Sequence, residues 1–515
     1  MTAPDTSRSL TAMLPSSSAG PLLARLLVGL ALVIGLAAAP AASYADPERP
    51  DLPDRAAEQA VEALEQAEAA LAGAPGLEPT LALAQLATVV EDLPPAERQQ
   101  AQAMFARPND EKGDPFLHYP HSRKGAVHCT EHTCIHYLRK GQHAPPGEDA
   151  DGDNVPDWVD RTGRVMETVW RAQVDEMGYD RPPGDGERGN QGGEERPDLL
   201  DVYLGDIGGQ GVYGVTVTDP GTNIPYLVLD NDYAEFPGRP LGLLRVTAAH
   251  EAFHAVQFGY DVDEDPWLME ATAAWIEDEI YDAVNDSRQF LSESSLLHPK
   301  RSLDHPRAWY GNWIFFRFLT EQHDPDLVQE IWEHSRNAYS VKAINRALRG
   351  RGTNLAEAYA RFSSLNNLPQ RTYEEGGAYP SPKVAERHVL RPRTTRTGVR
   401  DARIRHLSAR NVVLVSRKLA GRWRLRIHVD GPSTVARAQV IVHRRNGSVG
   451  LRRVDLDGQG DGRIRVPFGS AVRKVTLTLV NTSQAYRCNT GEWFACQGSP
   501  RRDRRAFSFR ARAVR

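Results

Sequence analysis

The sequence predicts a multidomain α+β protein: a helical N-terminal segment, a central domain mixing a small sheet with helices, and a C-terminal β-sandwich. Three observations carry this expectation. Residues 46–110 are rich in Ala and Glu at helical spacing and hold no aromatic residue before Phe105, too little to build a core alone. Residues 115–380 place β-branched and aromatic runs ahead of two strongly apolar helical stretches. From about residue 385 the texture changes to short alternating strands separated by turns. A length of 515 residues suits two or three domains, and 40% hydrophobic with 25% charged residues is ordinary for globular proteins.

Residues 1–45 read as a signal peptide. Arg8 and Arg25 supply positive charge, residues 26–39 are apolar, and Ser43-Tyr44-Ala45 presents small residues for cleavage before Asp46. The apolar run is short for a membrane span, and no later stretch reaches about 18 unbroken apolar residues. The mature protein is expected to be secreted. Four cysteines fit that compartment: Cys129 with Cys134 and Cys488 with Cys496 are expected as two local disulfides. His128, His132 and His136 around the first pair leave a second metal site as the alternative there.

Helical spacing at residues 55–72 and 81–93, with a helix start at Pro94-Pro95-Ala96-Glu97, makes residues 46–110 propeptide-like. A plain helical appendage is the alternative. Residues 108–120 read as a linker, and the polar stretch 107–112 is expected to be exposed and open to proteolytic nicking. Next comes an acidic loop. Asp149, Asp151, Asp153, Asp157 and Asp160 occupy positions 1, 3, 5, 9 and 12, the ligand spacing of EF-hand-type calcium loops. Asn154 stands where those loops carry Gly, and position 12 is Asp rather than Glu. The loop resembles dockerin and thrombospondin calcium loops, which implies Ca²⁺ as a candidate cofactor. A solvated turn opening the following helix is the bland reading. Residues 164–177 read as a helix ended by Gly178, and residues 199–204, 212–218 and 225–229 as strands.

The chemistry is concentrated in His250-Glu251-Ala252-Phe253-His254. On a helix, His250 and His254 are four apart and share a face. Two imidazoles so placed can hold one Zn²⁺ at about 2.0–2.1 Å, while Glu251 leaves that face at another angle and suits a general base. Apolar flanks from Leu243 to Val256 argue for a buried helix, and Gly259 is placed to end it. Zinc needs a third protein ligand. With fifteen residues intervening after His254, Glu270 lies near the start of a second helical stretch with small residues Ala271, Ala273 and Ala274. Glu270 is the expected third ligand, with Asp261, Asp263 and Asp265 as weaker candidates. In the other common spacing, His-Glu-x-x-His-x-x-Gly-x-x-His, Gln257 and Tyr260 stand in place of the Gly and the third His. Glu277 or Asp278 is placed to orient a ligand imidazole.

This pattern resembles the gluzincin metallopeptidases, in which the His-Glu-x-x-His helix is followed by a Glu on the next helix. His-Glu-x-Phe-His-x-x-Gln, Trp-x-x-Glu-Ala-Thr-Ala-x-Trp-x-Glu-Asp and the Tyr-Gly-x-Trp-x-Phe-x-Arg-Phe-Leu run at 310–319 together resemble a group of secreted bacterial metalloproteases. The resemblance implies a zincin-like catalytic domain over residues 115–380, acting on a protein or peptide. It implies Zn²⁺ on His250, His254 and Glu270, with Glu251 as base. It also implies an oxyanion donor, Tyr310 first and His305 second, and an edge strand above the metal, expected at 225–229. The expected activity is that of a secreted zinc metalloendopeptidase. An aminopeptidase, another zinc hydrolase, or a non-enzymatic surface-binding protein with a vestigial motif are the alternatives. Absence of a Gly-x-Met-Glu-Asn motif favours the endopeptidase over the aminopeptidase.

Helices are expected at 309–322, 325–336, 341–348 and 354–366. In the β-sandwich, residues 385–515, strands are expected at 412–415, 423–429, 438–442, 464–466 and 472–480. A net charge of −5 predicts no nucleic-acid partner, but residues 385–515 are rich in Arg. A solvated basic face explains this, with contact to a cell surface or an acidic polymer as the alternative.

Overall fold

A computed structural model describes residues 52–74, 76–110, 114, 117, 119, 125–184 and 199–515. The expected signal peptide and residues 46–51 lie outside the described residues, as does most of the expected linker. Three helices come first: α1 (Leu52–Leu71), α2 (Pro79–Val89) and α3 (Pro95–Ala103). Proline opens α2 and α3, where its missing N–H costs nothing. Glu78 caps α2 by accepting from the Leu81 N–H at 2.8 Å.

Strands β1 (Ala126–Cys129) and β2 (Thr133–Tyr137) form a hairpin closed by the Cys129–Cys134 disulfide. After α4 (Asp157–Trp170) come β3 (Leu200–Gly205), β4 (Gly214–Thr218) and β5 (Pro225–Asp230). They make one sheet in the order β1-β2-β3-β5-β4. The expected edge strand at 225–229 is therefore internal, and the edge is β4. Strand β5 pairs in parallel with β3 and antiparallel with β4, so both of its sides are used, while β4 is buried as fully and burial alone does not tell the two apart.

Alternation along the strands divides the sheet's two faces. Leu200, Val202, Leu204, Leu227 and Leu229 share a core with α4 and with α5 (Pro240–Asp261). Tyr203, Val215, Val217, Tyr226 and Val228 share another with Ala67, Leu83 and Leu86 of the N-terminal helices and with Phe105 just after α3. The helical segment thus covers a sheet face. Nor is its end exposed as expected. Arg107 is 3% exposed, and its Nη1 donates to both oxygens of Asp219 at 3.2 and 3.1 Å.

Helix α5 carries the His-Glu-x-x-His motif and runs past Gly259. Tyr260 extends it, packing edge-on against Tyr179 and tilted on Trp332. Helix α6 (Pro266–Tyr281) follows after a short turn, then α7 (Trp313–Gln322), α8 (Asp326–Ser335), α9 (Ser340–Gly350) and α10 (Leu355–Leu365). Their shared core includes Phe253, Trp275, Phe315 and Trp332.

The C-terminal part is a sandwich of two sheets. Its strands are β6 (Glu386–Leu390), β7 (Arg396–Ile404), β8 (Ser408–Ser416), β9 (Arg424–Asp430), β10 (Ala436–Arg444), β11 (Val449–Arg453), β12 (Asp461–Pro467), β13 (Val472–Asn481) and β16 (Arg505–Val514), with a small ladder of β14 (Tyr486–Arg487) and β15 (Ser499–Pro500). Sheet orders are β11-β10-β13-β8-β6 and β12-β9-β16-β7, enclosing Val440, Leu477, Ile427 and Phe509. Strand β7 escapes a sequence reading because it is Arg-rich and mostly exposed. Strand β16 is absent from the expected strands, although Phe507, Phe509, Ala511 and Ala513 alternate inward along it.

The two parts are joined by a buried ionic cluster. His406 Nε2 meets Asp304 Oδ1 at 2.8 Å, and its Nδ1 meets Asp503 at 3.1 Å. The Tyr486 hydroxyl and the Ala495 N–H donate to the other Asp304 oxygen at 2.7 and 3.2 Å. The Ala495 contact comes from the loop closed by the Cys488–Cys496 disulfide. Burial lowers the His406 pKa, but Asp304 and Asp503 outweigh it and push it up to about 9. A raised folded pKa stabilises fully below the unfolded value near 6.5 and is lost as pH rises through 9, a contribution of about 3 kcal/mol. The melting temperature should therefore fall more steeply from pH 7 to 10 in wild type than in His406→Gln. Parallel declines would show that the cluster does not act as a charged joint.

Candidate metal centre

The i, i+4 spacing on α5 turns His250 and His254 toward α6, and Glu270 from the first turns of α6 meets them. His250 Nε2 lies 3.3 Å from one Glu270 oxygen, and His254 Nε2 lies 3.8 Å from the other. All three side chains are buried. Two further residues fix the rings. Glu277, two turns further along the same face of α6, holds His250 Nδ1 at 2.6 Å. Gln257 Oε1 holds His254 Nδ1 at 2.7 Å, while its amide nitrogen donates to the Met269 carbonyl and to the Thr272 hydroxyl, both at 3.1 Å. Those donations orient the Gln257 oxygen toward the ring, so His254 Nδ1 carries the proton and Nε2 presents a lone pair. The sequence marks Gln257 as part of the motif but assigns it no role; its place three residues after His254 is the available signal.

These atoms suit a divalent cation. Both Glu270 oxygens and His254 Nε2 are buried without a hydrogen-bond partner. A buried carboxylate left so is costly unless a cation faces it. Burial lowers His254 to about 4, which keeps it neutral, as a ligand must be. Burial raises Glu270, but His250 and His254 outweigh it and hold it below its ordinary value. Burial pulls His250 down, but Glu270 and Glu277 lift it well above the usual range. The donor set of two imidazole nitrogens and one carboxylate is the set zinc takes in hydrolytic sites.

Glu251 sits beside this group without joining it. Its Oε2 accepts from the Thr216 hydroxyl of β4 at 2.7 Å. Burial pushes its pKa up to about 7, the range that suits a proton acceptor and donor near neutral pH. Gly214 makes this proximity feasible: a Cβ there would meet Thr247 Cγ2 at 2.7 Å and Glu251 Cγ at 2.8 Å. The Tyr310 ring lies parallel to His250, with centroids 5.7 Å apart. Burial, then the charge of Glu270, holds its phenol well above the ordinary value, so it is a donor. Gly311 lets Tyr310 come this close, because a Cβ there would strike the Phe290 carbonyl at 2.5 Å. His250, Glu251, Glu277 and Tyr310 line an open cleft of about 460 Å³.

The remaining sequence candidates lie elsewhere. His305 accepts from the Arg307 N–H at 3.2 Å and faces a second cavity with Lys300, Arg301, Lys383 and Arg405, not the cleft. Asp261, Asp263 and Asp265 cluster at the far end of α5, where Asp265 and Asp263 meet Gln497. Asp278 pairs with Arg317, leaving the orienting role to Glu277. His128, His132 and His136 each face a different carboxylate, Asp160, Glu167 and Asp201. In the acidic loop, Asp149, Asp151 and Asp153 come together, all exposed. Asp157 instead accepts from the Ala150 N–H at 3.0 Å, and Asp160 faces His128, so neither joins that group.

No family model matches the chain, and no curated protein sequence does. Among solved structures, a periplasmic inhibitor of g-type lysozyme from Aeromonas hydrophila matches at TM-score 0.17 and 11% identity, over 26% of this chain and 98% of its own. A pre-peptidase C-terminal domain of a collagenase from Bacillus anthracis matches at TM-score 0.17 and 7% identity, over 26% of this chain and 97% of its own. Likenesses of this size carry no argument about fold or activity.

Proposed function

We propose that this chain is a secreted zinc metalloendopeptidase with a zincin-like catalytic domain, using His250, His254 and Glu270 as metal ligands. The observation that carries the reading is the convergence of His250 Nε2 with the three orphaned buried atoms, His254 Nε2 and both Glu270 oxygens. A bound zinc there supplies Lewis acidity and lowers the pKa of water. The protein's own groups do the rest. Glu251, oriented by Thr216, takes a proton from the attacking water and returns it to the leaving amine. Tyr310 donates its phenol proton as a hydrogen bond to the carbonyl oxygen as charge develops. Glu277 and Gln257 hold the two imidazoles in the tautomer that leaves Nε2 free. Two disulfides suit an oxidising compartment, extracellular or periplasmic, and no helix among the described residues is long and apolar enough to cross a membrane.

Zinc-loaded protein incubated with a protein mixture, before and after limited proteolysis, tests the reading by mass spectrometry of the released peptides. Internal cleavages are expected. Loss of single N-terminal residues would indicate an aminopeptidase, and zinc binding without any hydrolysis would indicate a non-enzymatic protein.

A further inference from the structure

The N-terminal helices do more than cover the sheet, because α2 begins inside the cleft. Gly76, Leu77, Glu78 and Pro79 form a wall of the cavity that contains His250, Glu251 and Tyr310. Thr80 is fully buried. Its hydroxyl accepts the Thr216 N–H at 3.0 Å and donates toward Glu251 Oε2 at 3.4 Å. Thr216 lies on β4, the last strand of the sheet. An unpaired N–H on such an edge is what an extended peptide takes when it adds as a strand. Farther along α2, Leu81 and Ala84 belong to the same apolar core as Phe253, Phe258 and Met269. A second opening, about 570 Å³, lies along the body of α2, between Leu81 and Ala84 on one side and Val262, Met269 and Trp493 on the other. Helix α2 thus walls both openings, the first with its start and the second with its body.

We propose that α2 is a resident plug of the substrate groove, with Thr80 taking both the edge-strand donor and the Glu251 oxygen that a bound peptide and its attacking water would use. The identity of what is blocked rests on the peptidase reading; the blocking itself does not. The plug need not leave the molecule. Removing all three N-terminal helices would expose Tyr203, Val215, Val217, Tyr226 and Val228 to water. Opening needs only the start of α2 to move. The turn before it supplies a release point: Gly73 and Gly76 are exposed and hold φ of +75° and +85°. An exposed turn of small residues is a preferred site for an external endopeptidase.

The test uses the full chain loaded with zinc, in three forms: wild type, Thr80→Val, and a form with a site-specific protease sequence inserted at residues 73–76 and then cut. The rate of zinc loss to excess 1,10-phenanthroline is measured beside hydrolysis of casein. Thr80→Val keeps the side-chain shape and removes two hydrogen bonds, worth about tenfold in the open population. Zinc loss should accelerate by about that factor in Thr80→Val and at least as much in the cut form. Equal rates in all three forms would overturn the plug even if casein is cleaved. Faster zinc loss with no hydrolysis in any form would support the plug and overturn the peptidase reading. If no form holds zinc, the peptidase reading is overturned, and the plug is then decided by hydrogen exchange at the Thr216 amide, which should be faster in Thr80→Val and in the cut form than in wild type; equal exchange would overturn it. If Thr80→Val melts at a lower temperature, the cut form, whose α2 sequence is unaltered, decides.

Discussion

Glu251→Gln is expected to reduce peptide hydrolysis by about 10²–10⁴-fold, the usual worth of a positioned general base. The substitution is nearly isosteric. A Gln carbonyl oxygen can still accept from the Thr216 hydroxyl that now meets Glu251 at 2.7 Å. It cannot take a proton. Fold and zinc content should therefore stay at wild-type levels while turnover falls, which separates this effect from a structural one. The comparison is made on the form whose 73–76 turn has been cut, so that occlusion does not mask the difference. Equal hydrolysis by wild type and Glu251→Gln would remove the carboxylate from the mechanism.

Glu270→Ala should lose zinc. Glu270 is fully buried and faces both imidazoles from α6. Removing a residue that only orients a ligand costs about 10–100-fold in metal affinity, so loss of the ligand itself should exceed about 100-fold. Glu277→Gln serves as the internal comparison, because Glu277 touches His250 Nδ1 and not the Nε2 that faces Glu270. Competition against a chromophoric chelator measures both variants. The expected order is wild type, then Glu277→Gln, then Glu270→Ala. If Glu270→Ala kept wild-type affinity, the third ligand would have to come from another residue of the cleft.

Much of the centre was legible before any coordinates. The spacing of His250 and His254 places both rings on one face of a helix, and a Glu near the start of the next helix returns to that face across a short turn. Both disulfides link cysteines within eight residues of one another. Most helices and several strands follow from periodicity, as at α9 (Ser340–Gly350) and β13 (Val472–Asn481). These are local relations, set by backbone geometry and by which side of an element is apolar.

What the sequence by itself determined, then, is a helix bearing two imidazoles and a carboxylate, a nearby second carboxylate, an N-terminal helical segment and a β-rich C-terminal part. The tertiary structure decided what covers what. It made β4 the sheet edge, in place of the strand at 225–229. It gave Gln257 the His254 ring and Glu277 the His250 ring. It set His406 between Asp304 and Asp503, 102 and 97 residues away in the chain. It brought Thr80 to Glu251 across 171 residues. Hydrophobic periodicity marks a face as buried but is indifferent to the partner that buries it. That choice depends on the joint packing of all the elements, and here it placed the N-terminal helix in the cleft.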